Sequence, residues 1–245
     1  GGVDRIPEAI GCYVPVMTNA LVQQIHYAKN CVEVEVDQAG KSQILTANGA
    51  ILAVPGHLVP LLCPQLPSWL SEPLARTRYS TIASVHIALE RPPDIPYAGY
   101  GVPWNPEGIG VLELEHLRAP GRCPDGTGMI SVYITDGVSE DDVRLKARAL
   151  RFVERSFPET TNRALFLHLG RWQTGIACFA VGRLKEMADI RKRLATWSAP
   201  LDVCGDYLDG LSSEGALRTG EQAAERLGAR ISSKPQMLWC EARAR

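Results

Sequence analysis

Nowhere in these 245 residues does an apolar run approach the roughly 20 residues that a membrane-spanning helix needs, so an integral membrane protein is not expected. Excess charge is missing too. Lys and Arg total 26 against 27 for Asp and Glu, a formal net charge of −1, which gives no reason to expect a nucleic-acid partner. The seven cysteines are odd in number, scattered, and form no Cys-x-x-Cys pair. That usage suits reduced thiols in a cytoplasm better than a disulfide frame or a zinc site. The chain shows no basic-then-apolar leader and no initiator methionine. It enters at once into a helix with Asp4 as its cap and Pro7 in the first turn, so its start reads as the middle of something longer. No internal repeat is present.

What is there is ordinary for a globular protein: 45% hydrophobic and 22% charged residues, enough for one large domain or two modest ones. Ala20 to Tyr27 reads as a strand, and Val32 to Val36 alternates with a strict period of two. A turn at Asp37 to Lys41 leads to the return strand Gln43 to Ala47. Gly49 to Pro55 is a continuous apolar run, the pattern of a strand buried on both faces of a parallel sheet. Ligands of such sheets lie beyond the carboxyl ends of the strands, which puts Ala53-Val54-Pro55 beside one.

A Pro- and Leu-rich connector spans 58–74, and there the composition shifts. Strands are expected over Thr81 to Leu89, Ile109 to Leu114, Met129 to Tyr133 and Ala164 to Leu169, with a charged helix from Ser139, as cap, to Phe157. The block 67–168 therefore reads as an antiparallel sheet plus one helix, inserted into a domain made of 1–66 and 169–235. A helix is expected over Leu184 to Leu194, and residues 236–245 are a tail of surface or poorly ordered chain.

Organisation converges on one stretch near the C-terminus, Asp202-Val203-Cys204-Gly205-Asp206-Tyr207 through Ser212-Ser213-Glu214-Gly215-Ala216. It reads as a short strand, a Gly-Asp turn, a polar loop and a helix from Ser212 or Ser213 to about Leu227, with Gly228 as its stop. A helix opened this way points free N–H groups and a positive dipole end at whatever lies before it. The plainer reading is a capped helix after a strand. Asp206 on its own is equally a turn-former or an acceptor for a ligand hydroxyl.

Taken in order, these segments resemble the second half of a flavin-containing amine oxidase, protoporphyrinogen oxidase or phytoene desaturase-type protein. Gly1-Gly2 through Pro7-Glu8-Ala9-Ile10 is similar to a family helix with a Leu/Ile-Pro-Glu-Ala-Leu signature. Val22 and Ile25 resemble the strand whose Val backbone touches the FAD adenine, and Ala53-Val54-Pro55 the strand end that passes the nucleotide. Trp172, Gly175 and Ala177 stand where many members carry Trp-x-x-Ala-x-Pro, with the Trp kept. Gly205-Asp206-Tyr207 resembles the element at the pyrophosphate and ribityl chain, and Ser213-Glu214-Gly215-Ala216 the helix start under the isoalloxazine ring.

The resemblance implies an α/β fold with an α+β insertion: part of a Rossmann-like FAD-binding domain carrying a mixed-sheet substrate domain. The implied cofactor is FAD, at Val22, Ala53, Pro55, Gly205, Asp206, Glu214, Gly215 and Ala216. The family's Gly-x-Gly-x-x-Gly fingerprint is absent, since Gly108-x-Gly110 has no strand–helix context. Without it the chain lacks the glycines and helix dipole that hold the pyrophosphate. The expected partner is therefore a second polypeptide with the glycine fingerprint, in a heterodimer that shares the FAD. A cut enzyme and a degenerate subunit are the alternatives.

The implied reaction is desaturation or oxidation of a hydrophobic small molecule, with peripheral membrane attachment if that substrate is a lipid. Amine-oxidising members carry a lysine where this chain has Ser84. A non-redox cyclase or isomerase on the same scaffold, or a structural partner subunit, are the rival readings. Catalytic candidates are Trp172, His116 and Glu115. Glu115, His116 and Arg118 could together relay protons or simply be a solvated strand end, and His86 is either water-facing or a satisfied core imidazole. No residues suggest a metal.

Overall fold

The computed structural model describes residues 4–232. In chain order its elements are α1 (Arg5–Gly11), β1 (Ala20–Tyr27), β2 (Val32–Gln38), β3 (Lys41–Ala47), β4 (Ala50–Leu52), α2 (Val59–Leu62), α3 (Ser68–Ala75), β5 (Arg78–Tyr79) and β6 (Ile82–Leu89). Next come β7 (Gly99–Gly101), β8 (Ile109–Leu114), α4 (Glu115–Arg118), β9 (Gly128–Ile134), α5 (Asp142–Ser156), β10 (Ala164–Trp172), β11 (Ala177–Cys178), α6 (Arg183–Thr196), β12 (Leu201–Val203) and α7 (Ser213–Ser232). The described residues divide into two units, 4–15 with 80–176, and 16–79 with 177–232.

These exchange points fall later than the composition shift suggests. Pro67 is the cap position of α3, and Leu70 and Leu74 on that helix have no exposed surface and lie in the core of the second unit with Val59, Leu194 and Tyr207. The Pro-rich connector marks a change of chain stiffness, not a change of core. Likewise β10 runs past Leu169 to Trp172 because its pairing with β6 continues to Trp172 opposite Ile82. Residues 4–15 group with the inserted unit, not with the unit that holds β1 to β4. Gly1 and Gly2, and the expected tail 236–245, lie outside the described residues.

In the second unit β1, β2 and β3 form an antiparallel sheet, with the turn at Ala39 and Gly40 where both φ values are positive. Beside it β4 pairs with β12 in parallel, Leu52 opposite Val203. Only three residues of the apolar run 49–55 form strand, and Ile51 is 36% exposed, so among the described residues β4 is not covered on both faces. The first unit is a five-stranded antiparallel sheet in the order β10-β6-β9-β8-β7. One face of it, through Val85, Ile87, Val132 and Leu112, packs with Leu145, Ala149, Phe152 and Val153 of α5.

Three helix ends differ from the sequence expectation. At α1 the Asp4 backbone is already helical and its side chain makes no cap bond. At α5 the cap is Asp141, whose carboxylate accepts from Arg144 N at 2.9 Å, and Ser139 lies before the helix. At α7 the helix runs through Gly228 to Ser232. A mid-helix glycine costs about 1 kcal/mol, and here anchors on both sides of it outweigh that cost. Arg226 holds Asp202 through Nε–Oδ2 at 3.0 Å and Nη2–Oδ1 at 2.8 Å, while Arg230 Nη2 lies 3.0 Å from Asp202 Oδ2. Arg230 also donates to the carbonyls of Leu194 and Leu201.

Asp202 has no exposed surface, so removing the bidentate arginine strands a buried carboxylate. Arg226→Met is expected to lower unfolding stability by about 3 kcal/mol in urea titration, whereas Arg5→Met, in an exposed pair with Glu8, should change it little. Cys63, also without exposed surface, has its thiol pushed up by burial to about 11, from 9.0. A raised acid binds its proton more tightly when folded, so its contribution is intact below the unfolded value and is lost as pH rises from about 9 to about 11. Cys63→Ala should flatten the alkaline fall of melting temperature across that window.

Candidate functional site

The carboxyl ends of β4 and β12 lie side by side, because the parallel pairing continues one step beyond the strands with Cys204 N donating to Leu52 O at 3.1 Å. This brings Ala53, Pro55 and Gly56 alongside Gly205, Asp206 and Tyr207. Gly56 is wedged there: its N–H donates to the Tyr79 hydroxyl at 2.7 Å, and a Cβ on it would lie 2.9 Å from Thr77 Oγ1 and 3.2 Å from Tyr207 Cδ2. Tyr207 is fully buried under the turn and donates to Cys204 O at 3.2 Å, and burial pushes its phenol well above 10.0.

Two glycines set the path of the loop. Gly205 has φ +156° and ψ +164°, a region essentially closed to other residues, and a Cβ there would lie 2.8 Å from Tyr207 Cδ1. Gly215, in the first turn of α7, is buried against the loop, and a Cβ on it would lie 2.8 Å from Gly210 O. The helix is capped by Ser212, whose Oγ accepts from Gly215 N at 3.0 Å. Ser213 and Glu214 N–H groups have no acceptor among the described residues, and Glu214 points outward with its side chain 85% exposed. One turn further in, buried Thr219 binds the helix back to the turn. Its Oγ1 accepts from Gly205 N at 3.0 Å and lies 3.1 Å from Gly205 O and 3.0 Å from Ala216 O, one of which takes its single proton.

Gly205, Asp206, Gly215 and Ala216 are thus gathered by one loop and one hydroxyl, with Ala53 and Pro55 on the neighbouring strand end. Val22 sits on β1, opposite Val36 and just before the bulge at Gln23, and packs on the same core. The cluster contains unspent polar capacity: the Asp206 carboxylate and His57 Nδ1, a buried atom, have no hydrogen-bond partner among the described residues.

Sequence reasoning missed the clamp on this loop. Asp209 is held by Arg218 Nε at 2.6 Å and by Arg191 at 3.2 Å, and Arg191 also donates to Leu208 O. It also missed Thr219, although the four-residue spacing of buried Gly215, Thr219, Ala223 and Leu227 is readable as an inward stripe.

The three catalytic candidates lie in the other unit. Glu115 and His116 begin α4, but they do not form one relay with Arg118. Glu115 is ion-paired with Arg122, Arg118 with Glu113, and His116 Nδ1 accepts from Met129 N at 3.4 Å while its buried Nε2 has no partner. Glu115 and Arg118 each pair with an opposite charge other than the one beside it, at Arg122 and Glu113. Glu115 instead accepts from Ser131 Oγ at 2.8 Å, and Ser131 Oγ lies 2.7 Å from His86 Nδ1. His86 is therefore a satisfied imidazole, half-buried and stacked on His168. Trp172 folds back over Gly170, where an added Cβ would lie 2.7 Å from its Cη2.

Gly205→Ala would force a Cβ into both a forbidden backbone region and the Tyr207 ring. It is expected to cost about 2–4 kcal/mol in chemical denaturation, while Gly220→Ala, with open space around it, should be neutral or stabilising.

Comparison with known proteins bears on this geometry. Residues 1–228 match the family described as flavin containing amine oxidoreductase. Among solved structures the chain is similar to cyclohexylamine oxidase from Brevibacterium oxydans IH-35A, at TM-score 0.73 and 16% identity, over 95% of this chain and 53% of that one. It is similar to putrescine oxidase bound to putrescine at TM-score 0.69 and 21% identity, covering 93% and 52%. Reduced UDP-galactopyranose mutase gives TM-score 0.73 and 12% identity, covering 94% and 52%. The chain spans about half the length of each of these. At these identities the structures speak for the fold, which is the mixed α/β fold of FAD-dependent oxidoreductases. The sequence match over 1–228 makes the chain a member of the flavin-containing amine oxidoreductase family.

Proposed function

We propose that this chain is the flavin-side half of an FAD-dependent oxidoreductase, completed by a separate polypeptide that carries the glycine fingerprint. The observation that carries this reading is the loop from Gly205 to Ala216, where two positions exclude any side chain and a helix opens with unclaimed N–H groups. Close backbone approach at Gly215 and donors at the start of α7 suit a flavin edge or phosphate, and the helix dipole favours negative charge there. Asp206 has free acceptor oxygens for a ribityl hydroxyl. Ala53, Pro55 and Val22 would line the nucleotide, and Glu214 would face outward from the helix start.

Bound there, the flavin would supply two-electron oxidation of the substrate, and the protein supplies position and electrostatics. The substrate is proposed to be a hydrophobic small molecule. The sheet face that carries Ser84 also carries Phe166, Trp172 and Val111, all partly exposed, around a narrow polar stripe. Ser84 in place of a lysine favours an oxidase or desaturase over an amine-oxidising site. A cyclase or isomerase on the same scaffold would need the flavin without net turnover of its redox state.

In the flavin-loaded complex, Gly215→Val should weaken flavin retention by about 100-fold or more, because its side chain occupies the space the loop and ligand share. Ultrafiltration followed by flavin absorbance in the filtrate measures this. Retention equal to the parent protein would remove the helix start of α7 from the flavin site.

A further inference from the structure

On the face of the five-stranded sheet opposite α5, pairing register places His168, His86, Ser131 and Glu113 in one row across β10, β6, β9 and β8. The next row holds Gly170, Ser84, Tyr133 and Val111. Within these rows one chain of hydrogen bonds is complete. Ser84 Oγ lies 2.9 Å from His86 Nε2, His86 Nδ1 lies 2.7 Å from Ser131 Oγ, and Ser131 Oγ lies 2.8 Å from Glu115 Oε1, with Arg122 on the other carboxylate oxygen.

Counting protons fixes the direction of this chain. Glu115, ion-paired with Arg122, offers acceptor oxygens only, so Ser131 spends its one proton on Glu115. Ser131 Oγ can then only accept, and His86 must carry its proton on Nδ1. The Nε2 of a neutral ring is left as an acceptor, so Ser84 donates to it. Every bond points from Ser84 toward Glu115.

We propose that Ser84, His86, Ser131 and Glu115 form a proton relay whose outlet is the Ser84 hydroxyl and whose gate is Trp172. This rests on the oxidoreductase reading, in which an apolar substrate carrying one ionising O–H or N–H gives up a proton as it is oxidised. The ligand proton passes to Ser84 Oγ as the Ser84 proton passes to His86 Nε2. The Nδ1 proton moves to Ser131 and the Ser131 proton to Glu115. One proton has then travelled from ligand to carboxylate, with no other bond made or broken.

Three features support the assignment. Burial holds the His86 imidazole below its ordinary value, against Glu115 and Glu113, which raise it, and with His168, which lowers it further. Burial thus favours the neutral ring, in which one nitrogen donates and the other accepts. Groups facing it are accounted for on every side: Ser84 on its own strand, His168 on β10, Ser131 and Tyr133 on β9, Glu113 on β8 and Glu115 on α4. Tyr133 and Arg118 occupy the Glu113 carboxylate, which keeps it out of the relay. The outlet is covered, since Ser84 has no exposed surface and the Trp172 ring fills the space above its cross-strand neighbour Gly170. Trp172 itself is 48% exposed, so solvent reaches the outer side of the ring that covers this outlet.

The test needs no flavin and no substrate: solvent exchange of the His86 Nδ1 proton, followed by imidazole nitrogen NMR in the natural protein or complex containing this chain. The ring is expected in the Nδ1–H form at neutral pH, and Ser131→Ala should shift it toward the Nε2–H form. Trp172→Ala should speed the exchange by roughly tenfold or more. Adding Ser84→Ala should cancel that gain, and Ser84→Thr in its place should restore it. An Nε2–H ring in the parent protein, exchange indifferent to Trp172→Ala, or a gain that survives Ser84→Ala would each overturn the relay. Amide spectra of the variants confirm that the sheet is intact. Flavin content is measured separately, so loss of the oxidoreductase reading and loss of the relay leave different signatures.

Discussion

The buried Asp202 carboxylate is the interaction on which the candidate flavin site depends. It sits in β12 with no exposed surface, and Arg226 and Arg230 of α7 close on it from one helical turn apart. An isolated carboxylate could not be buried there, so strand and helix must form together. Once α7 is pinned to β12, its N-terminus can only lie at the end of the loop that leaves the strand. Thr219, Gly215 and the Asp209 clamp then refine the placement by a turn of helix, a backbone contact and a pair of ion pairs. A geometry that looks like a local motif from Gly205 to Ala216 is thus held by three charges outside it in sequence, at Asp202, Arg226 and Arg230.

Much of the fold was legible because its signals are short-range. Apolar composition marks β1 and β8 to the residue and alternation marks the start of β2, while the Gly-Asp turn, the polar loop and the helix start at Ser213 arise from turn and capping chemistry. The features that were not legible depend on partners distant in the chain. Gly228 carries the sequence signature of a helix stop, yet long-range arginine anchors carry α7 past it. Ser139 looks as good a cap as Asp141 until backbone dihedrals are known. Glu115, His116 and Arg118 cluster in sequence, but each finds a different neighbour. His86 and Ser84 could have been paired by their two-residue spacing on one strand face, whereas Ser131 enters only through register.

The first unit contrasts with the second in how it uses polarity. Its sheet buries an apolar face under α5 in the ordinary way, but the other face carries a polar stripe in which Ser84, both His86 nitrogens and Ser131 are all matched. Fully matched, such a stripe holds its members in one arrangement, whereas a half-matched one would be costly to bury. Its apolar flanks at Phe166, Val111 and Trp172 fit the proposed wall for a mostly hydrophobic molecule with one reactive polar group.

This chain is proposed to hold only one side of an FAD site. Flavin binding to the purified chain alone, and after co-expression with a polypeptide bearing the glycine fingerprint, tests this most directly. The chain alone is expected to be colourless with at most weak FAD affinity, and the complex yellow with one flavin per pair. A chain that binds stoichiometric FAD by itself, or a stable complex that stays colourless when FAD is added, would contradict this.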